Sequence, residues 1–206
     1  MMAADPGPDR RAFLSGAALL ALALGVPIAA LELSPGDSPS ARQQAILREA
    51  CALVIPRSDT PGAGDVGVAD FVVLALAHGL EDSRKPLTAE LAARYTADVR
   101  SDLSLLHLEW LEAELDRRSG GDFIRRRPEQ RHALLAALDR AAFADAAPVH
   151  PWRTIKALIL LGYYTSEAGG AVELRYVPVP GRWDPDLPQT PDTRAISNDW
   201  SAVDFG

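Results

Sequence analysis

The sequence predicts a mainly α protein, a compact bundle of about five helices followed by an irregular proline-rich arm, and three observations carry that prediction. Apolar residues recur at helical spacing between residues 40 and 164. Capping residues, prolines and glycines stand where such helices should start and stop. From Pro178 onward there is no helical or strand period, and proline, aspartate and serine dominate. The chain divides into a signal-like segment over 1–31, a linker over 32–39, a helical domain over 40–177 and an extended arm over 178–206.

In the first segment Arg10 and Arg11 precede Phe13 and Leu14, and no charged residue follows until Glu32. That order resembles a twin-arginine export signal, with an apolar stretch from Ala17 to Leu24 and small residues around Ala29 and Ala30 for a peptidase. Left uncleaved, Ala12 to Leu31 is long enough to span a bilayer, but its alanine content and Pro27 fit a removable signal better. The expected location is the periplasm, reached through the twin-arginine translocase. This route carries proteins that have already folded, often around a cofactor, yet the remaining chain has no recognisable cofactor motif.

The first helix starts at Ser40, which forms a capping box with Gln43, and puts Leu47, Ala50, Cys51 and Val54 on one face before Pro56 stops it. After a turn-rich loop over 58–67, Val68 to Leu80 is so apolar that it belongs at the centre of the core. Thr88 opens a long third helix, with Leu91, Tyr95, Val99, Leu103, Leu106 and Trp110 inward, that runs to about Arg118 ahead of Gly120-Gly121. Pro128 suits the first turn of a fourth helix carrying Leu134, Leu135 and Leu138, and Trp152 to Tyr164 forms a fifth.

The 206 residues carry a net charge of −7, and an acidic chain lacks the basic footprint that nucleic acid requires. Cys51 is the only cysteine, so an intramolecular disulfide is ruled out. Its place on the apolar face favours a buried thiol, and an intersubunit disulfide is the alternative.

Gly62-Ala63-Gly64-Asp65-Val66-Gly67 is a literal G-x-G-x-x-G, but no strand leads directly into it, so a helix-connecting turn is expected instead of a nucleotide site. His78, His107, His132 and His150 show no H-x-x-x-H pair, and His107 reads as a helix surface meeting the core. Ser166-Glu167 lacks a nucleophile-elbow context and reads as capping or turn chemistry. Glu112 with Asp116, and Asp98 with Asp102, read as solvated faces. Arg125-Arg126-Arg127 with Arg131 reads as an exposed loop and helix start, with a patch for an acidic partner as the sharper alternative.

Two blocks together resemble the gluconate 2-dehydrogenase subunit 3 family. The first runs Val54-Ile55-Pro56-Arg57-Ser58-Asp59-Thr60-Pro61-Gly62-Ala63 and on through Gly67 to Phe71. The second is Leu161-Gly162-Tyr163-Tyr164-Thr165-Ser166-Glu167-Ala168-Gly169-Gly170, with Tyr176, Pro178, Pro180 and Gly181 behind it. The resemblance implies a non-catalytic, chaperone-like small subunit of a membrane-associated, FAD-dependent sugar or sugar-acid dehydrogenase. FAD would sit in the large partner subunit, and haem in a multihaem cytochrome c subunit where one is present. The large subunit of such complexes often lacks its own signal, so the small one is expected to escort it.

On this reading the partner-interface candidates are Asp59, Thr60, Pro61, Gly62, Tyr163, Tyr164, Ser166, Glu167, Tyr176, Trp183, Trp200 and Phe205, the last three as separate anchors along the arm. No catalytic, cofactor-binding or metal residue is assigned to this chain. The alternatives are a stand-alone periplasmic enzyme using Ser166, Glu167 or a histidine, and a periplasmic binding module.

Overall fold

The computed structural model describes residues 33–144 and 150–176, together with 188, 190, 193, 196 and 197. Among the described residues it holds six α-helices: α1 (Ala41–Val54), α2 (Val68–Ala77), α3 (Ala89–Arg94), α4 (His107–Ser119), α5 (Pro128–Ala142) and α6 (Pro151–Tyr164). A π-helical turn, Glu167–Glu173, follows α6. Strand β1 (Arg175–Tyr176) then pairs in parallel with β2 (Ile196–Ser197). The mainly α class is as expected from the sequence. The ladder falls partly in the arm, where two residues are too few to impose a visible period. Arg10, Arg11, Phe13, Leu14, Trp183, Trp200 and Phe205 lie outside the described residues.

α1 begins as predicted. Ser40 Oγ accepts the Gln43 N–H at 3.1 Å, and Gln43 Oε1 accepts the Ser40 N–H at 2.9 Å, so two orphan donors are satisfied reciprocally. Its Ile46, Leu47, Ala50 and Cys51 are buried against α2, the most apolar helix, where Val68, Phe71, Val72 and Ala75 are fully enclosed. α6 crosses α2 closely because Gly162 faces the ring of Phe71 and leaves room for it. Trp152 and Tyr163 of α6, with Phe123 from the loop before α5, complete the largest buried side chains.

The expected third helix is two helices. Thr88 caps α3, but helical geometry stops at Arg94, a 3-10 turn covers Thr96–Asp98, and α4 starts at His107. Between them Asp102 Oδ1 accepts from both the backbone N–H (2.9 Å) and the hydroxyl (2.6 Å) of Ser104, which reverses the chain. Val99 then bridges Leu105 in antiparallel fashion. Leu103, predicted inward, sits at φ +65° and is 53% exposed. The local side-chain turn overrides an apolar spacing that continued helically only by coincidence.

Two charged features also depart from expectation. Glu112 and Asp116 do not face solvent as a free pair. Arg42 reaches from α1 to Glu112 (2.7 Å), Asp116 (2.6 Å) and Asp122 (3.0 Å), pinning α1 to α4 and the loop beyond. Asp98 and Asp102 no longer share a helix face. The arginine cluster is divided: Arg125 is exposed beside Asp122, whereas Arg131 turns inward, 2.9 Å from Glu49.

Candidate functional site

The loop between α1 and α2 is a close-packed turn. Ala63 N–H donates to the Ile55 carbonyl at 3.0 Å, Asp65 N–H to the Gly62 carbonyl at 3.0 Å, and Gly62 N–H to Asp65 Oδ2 at 2.8 Å. A Cβ on Gly62 would stand 2.7 Å from Arg57 N and Ile55 O, so only glycine fits. The glycine-rich stretch is therefore the helix-connecting turn expected from its context, with these N–H groups committed to the turn itself.

The second block closes a corner at the end of α6. Thr165 Oγ1 donates to the Leu161 carbonyl at 2.7 Å, and Ser166 Oγ donates to the Tyr163 carbonyl at 2.6 Å while accepting the Gly169 N–H at 3.2 Å. Ser166 is thus a cap, as read from the sequence. The π-helical turn folds back so tightly that a Cβ on Gly169 would collide with the Tyr163 carbonyl, and one on Gly170 would stand 2.6 Å from that of Tyr164.

The two blocks meet at one joint. The Tyr163 hydroxyl donates to Glu173 Oε2 at 2.5 Å and also lies 3.0 Å from the Pro61 carbonyl oxygen, while Thr60 Oγ1 donates to the same Glu173 oxygen at 3.0 Å. One carboxylate so ties α6, the π turn and the first loop together. Burial, and then the hydrogen bond to Glu173, push the Tyr163 phenol above its ordinary value. Sequence reasoning misses Glu173, since nothing in its neighbours marks it.

The structure sorts the interface candidates into two groups. Thr60, Gly62, Tyr163 and Ser166 are buried and build the joint, so they cannot present themselves to a partner. Asp59, Pro61, Tyr164 and Glu167 are exposed on its outside, Tyr164 standing edge-on to Tyr163 with ring centroids 5.2 Å apart. Tyr176 contributes its backbone to β1. Cys51 is fully buried and free, and burial pushes its thiol well above the ordinary range. A disulfide to another subunit needs an accessible sulfur, which this core position does not offer. Among the described residues, no group of three or more His, Cys, Asp or Glu is placed to hold a metal, and no helix is long and apolar enough to cross a membrane.

The joint is testable by itself. Tyr163→Phe is expected to cost about 2 kcal/mol, because a hydrogen bond to a charged group is lost in a buried setting. Glu173→Gln should cost a similar amount, and the double variant less than the sum by about 1 kcal/mol. Urea unfolding of the four proteins measures this. Strict additivity, or losses within about 0.5 kcal/mol of zero, would show that the hydroxyls and the carboxylate do not act as a unit.

The described residues form a mainly α domain in which the two blocks hold two loops against the end of α6. The chain belongs to the gluconate 2-dehydrogenase subunit 3 family, whose family model matches residues 41–181. The match spans both blocks and all six helices. No curated protein and no solved structure matches the chain. Membership relates it to the small subunits of a multi-subunit dehydrogenase.

Proposed function

We propose that this protein is the non-catalytic small subunit of a periplasmic, FAD-dependent sugar or sugar-acid dehydrogenase, and that it stabilises the flavoprotein large subunit and escorts it through twin-arginine export. The observation that carries the reading is the use to which the family's motif residues are put. Their polar atoms are consumed in the Tyr163–Glu173–Thr60 joint, which leaves a shaped outer surface at Asp59, Pro61, Tyr164 and Glu167. Such a surface suits docking: an exposed aromatic ring supplies contact area at low entropic cost, and exposed carboxylates can set orientation. FAD belongs to the large subunit, and haem to a cytochrome c subunit where the complex has one. This chain's part in oxidation is to hold the catalytic subunit, and Arg10 and Arg11 provide the export address.

Export is the most direct test. Arg10→Lys combined with Arg11→Lys is expected to leave both this chain and its flavoprotein partner in the cytoplasm, with periplasmic dehydrogenase activity falling at least about tenfold. Cell fractionation followed by immunodetection of both subunits measures this. Normal periplasmic activity in the double variant would end the escort reading.

A further inference from the structure

At the opposite end of α6 from the Tyr163 joint, about 20 Å away along a helix of this length, lies a cleft of about 330 Å³. Its walls include Leu91, Tyr95, Leu105, His107, His150 and Pro151. The volume is within the range of small-molecule sites, and the walls are mostly apolar, as such sites are. None of these residues belongs to the joint or to its outer face.

Among the polar side chains of the walls, three carry rings whose hydrogen bonding is defined. His107 is 8% exposed, and its Nδ1 lies 3.1 Å from the Leu105 carbonyl oxygen. A carbonyl can only accept, so Nδ1 carries the hydrogen and Nε2 is an acceptor, with no hydrogen-bond partner among the described residues. His150 is the reverse case. Its Nδ1 accepts the Trp152 N–H at 3.2 Å, which places the hydrogen on Nε2, and its ring is held edge-on to Trp110. The half-buried Tyr95 hydroxyl makes no hydrogen bond to any described residue. The lining residues thus include an imidazole with an acceptor nitrogen, an imidazole with a donor nitrogen and a phenol, beside the hydroxyls of Ser83, Thr88 and Thr154; His107 also borders a smaller cavity next to Asp37 and Gln43.

Charge is confined to the rim. Lys85 and Asp82 pair with each other at 3.3 Å and are mostly exposed, and Glu81 is exposed. Glu81 and Asp82 both hold left-handed backbone angles (φ 53° and 57°), an unfavourable geometry for non-glycine residues that shapes this edge. Arg100 acts on His107 and Arg94 lies 5.5 Å over the Tyr95 ring, but no lining residue inside the rim is charged, so a charged ligand would be desolvated without a direct ion pair, whereas a neutral one would lose little.

We propose that this cleft binds a small, neutral, planar ring compound bearing a hydroxyl or carbonyl group, its ring held between Leu91, Leu105 and Pro151 and its polar group meeting His107, His150 and Tyr95. The probe is 4-hydroxyacetophenone, titrated into the full chain and followed by calorimetry and by the imidazole signals of His107 and His150 in nitrogen-15 spectra. Saturable binding is expected with Kd of about 1 mM or tighter, both imidazoles shifting together. The anionic analogue 4-hydroxybenzoate should bind about tenfold or more weakly, Tyr95→Phe should weaken the neutral probe about fivefold, and Leu91→Trp should abolish its binding, each variant keeping the parent's thermal midpoint. The proposal is overturned by no saturation up to about 10 mM, by saturation that leaves both imidazoles unmoved, by equal binding of the anion, or by indifference to both substitutions.

Discussion

Replacing Gly162 with valine is expected to lower the stability of the domain by about 3 kcal/mol, with a fall of roughly 6–12 °C in Tm. At Gly162 a Cβ would stand 2.5 Å from Cδ1 of Phe71 and 3.1 Å from its Cγ and Cε1, so the substitution drives a methyl-bearing carbon into an aromatic ring. The ring has nowhere to go. Phe71 is fully buried on α2, between helices whose own contacts are closed, and close-packed interiors do not absorb added volume without strain. Alanine at 162 makes the same first clash but recovers about 1 kcal/mol of helix propensity, so a smaller loss is expected. Gly36→Ala is the control, because nothing lies within 4 Å of that Cβ and its effect should stay within about 0.5 kcal/mol. Thermal and urea unfolding of the three variants measures the order. A valine variant as stable as the parent would mean that α2 and α6 do not cross at this glycine.

The legible parts of the fold are those fixed by local chemistry. Ser40 with Gln43, Pro56, Gly120 and Ser166 each act within four residues of their own position, and the sequence marks each of them. The apolar run at 68–77 is legible because it needs no partner to be identified as core. The departures have a common cause: a contact distant in sequence, or a side chain that competes with the helix. Asp102 and Ser104 compete with the helix, and Leu103 is turned outward as a result. Arg42 meets Glu112 and Asp116 across about seventy residues, so in sequence the pair resembles a solvated face. The joint shows both sides of this. Family resemblance picks out its residues but not their roles, because Thr60 and Tyr163 are 103 positions apart and Glu173 carries no local mark. Some of the residues that read as an interface are buried in the joint itself.

Acidification from pH 7 to pH 5 is expected to cost the domain about 2 kcal/mol, most of which should disappear in His107→Asn. Burial, with a smaller contribution from Arg100, pushes the His107 imidazole from its ordinary value near 6.5 down to about 4 in the folded protein, and the hydrogen bond to the Leu105 carbonyl opposes that only in part. The unfolded chain therefore binds a proton in a range where the folded protein refuses it. Stability from this group is complete above pH 6.5, declines as the pH falls through that value, and is fully lost near pH 4, where the folded imidazole also protonates. Other groups act in identifiable ways. His150, also shifted down by burial, adds a weaker slope of the same sign that should survive in the variant. Asp98, shifted up by burial and by Glu109, works in the opposite direction, because its protonated form is the one the folded state favours. Glu114, whose partners Arg117 and Arg118 outweigh its burial and hold it low, loses its contribution only at more acidic pH. Asparagine at 107 keeps an N–H for the Leu105 carbonyl and cannot titrate, so the variant isolates the imidazole's proton from its hydrogen bond. Urea unfolding at half-unit pH steps for both proteins gives the two slopes. Parallel curves over pH 7 to 5 would show that His107 is accessible to protons in the folded state.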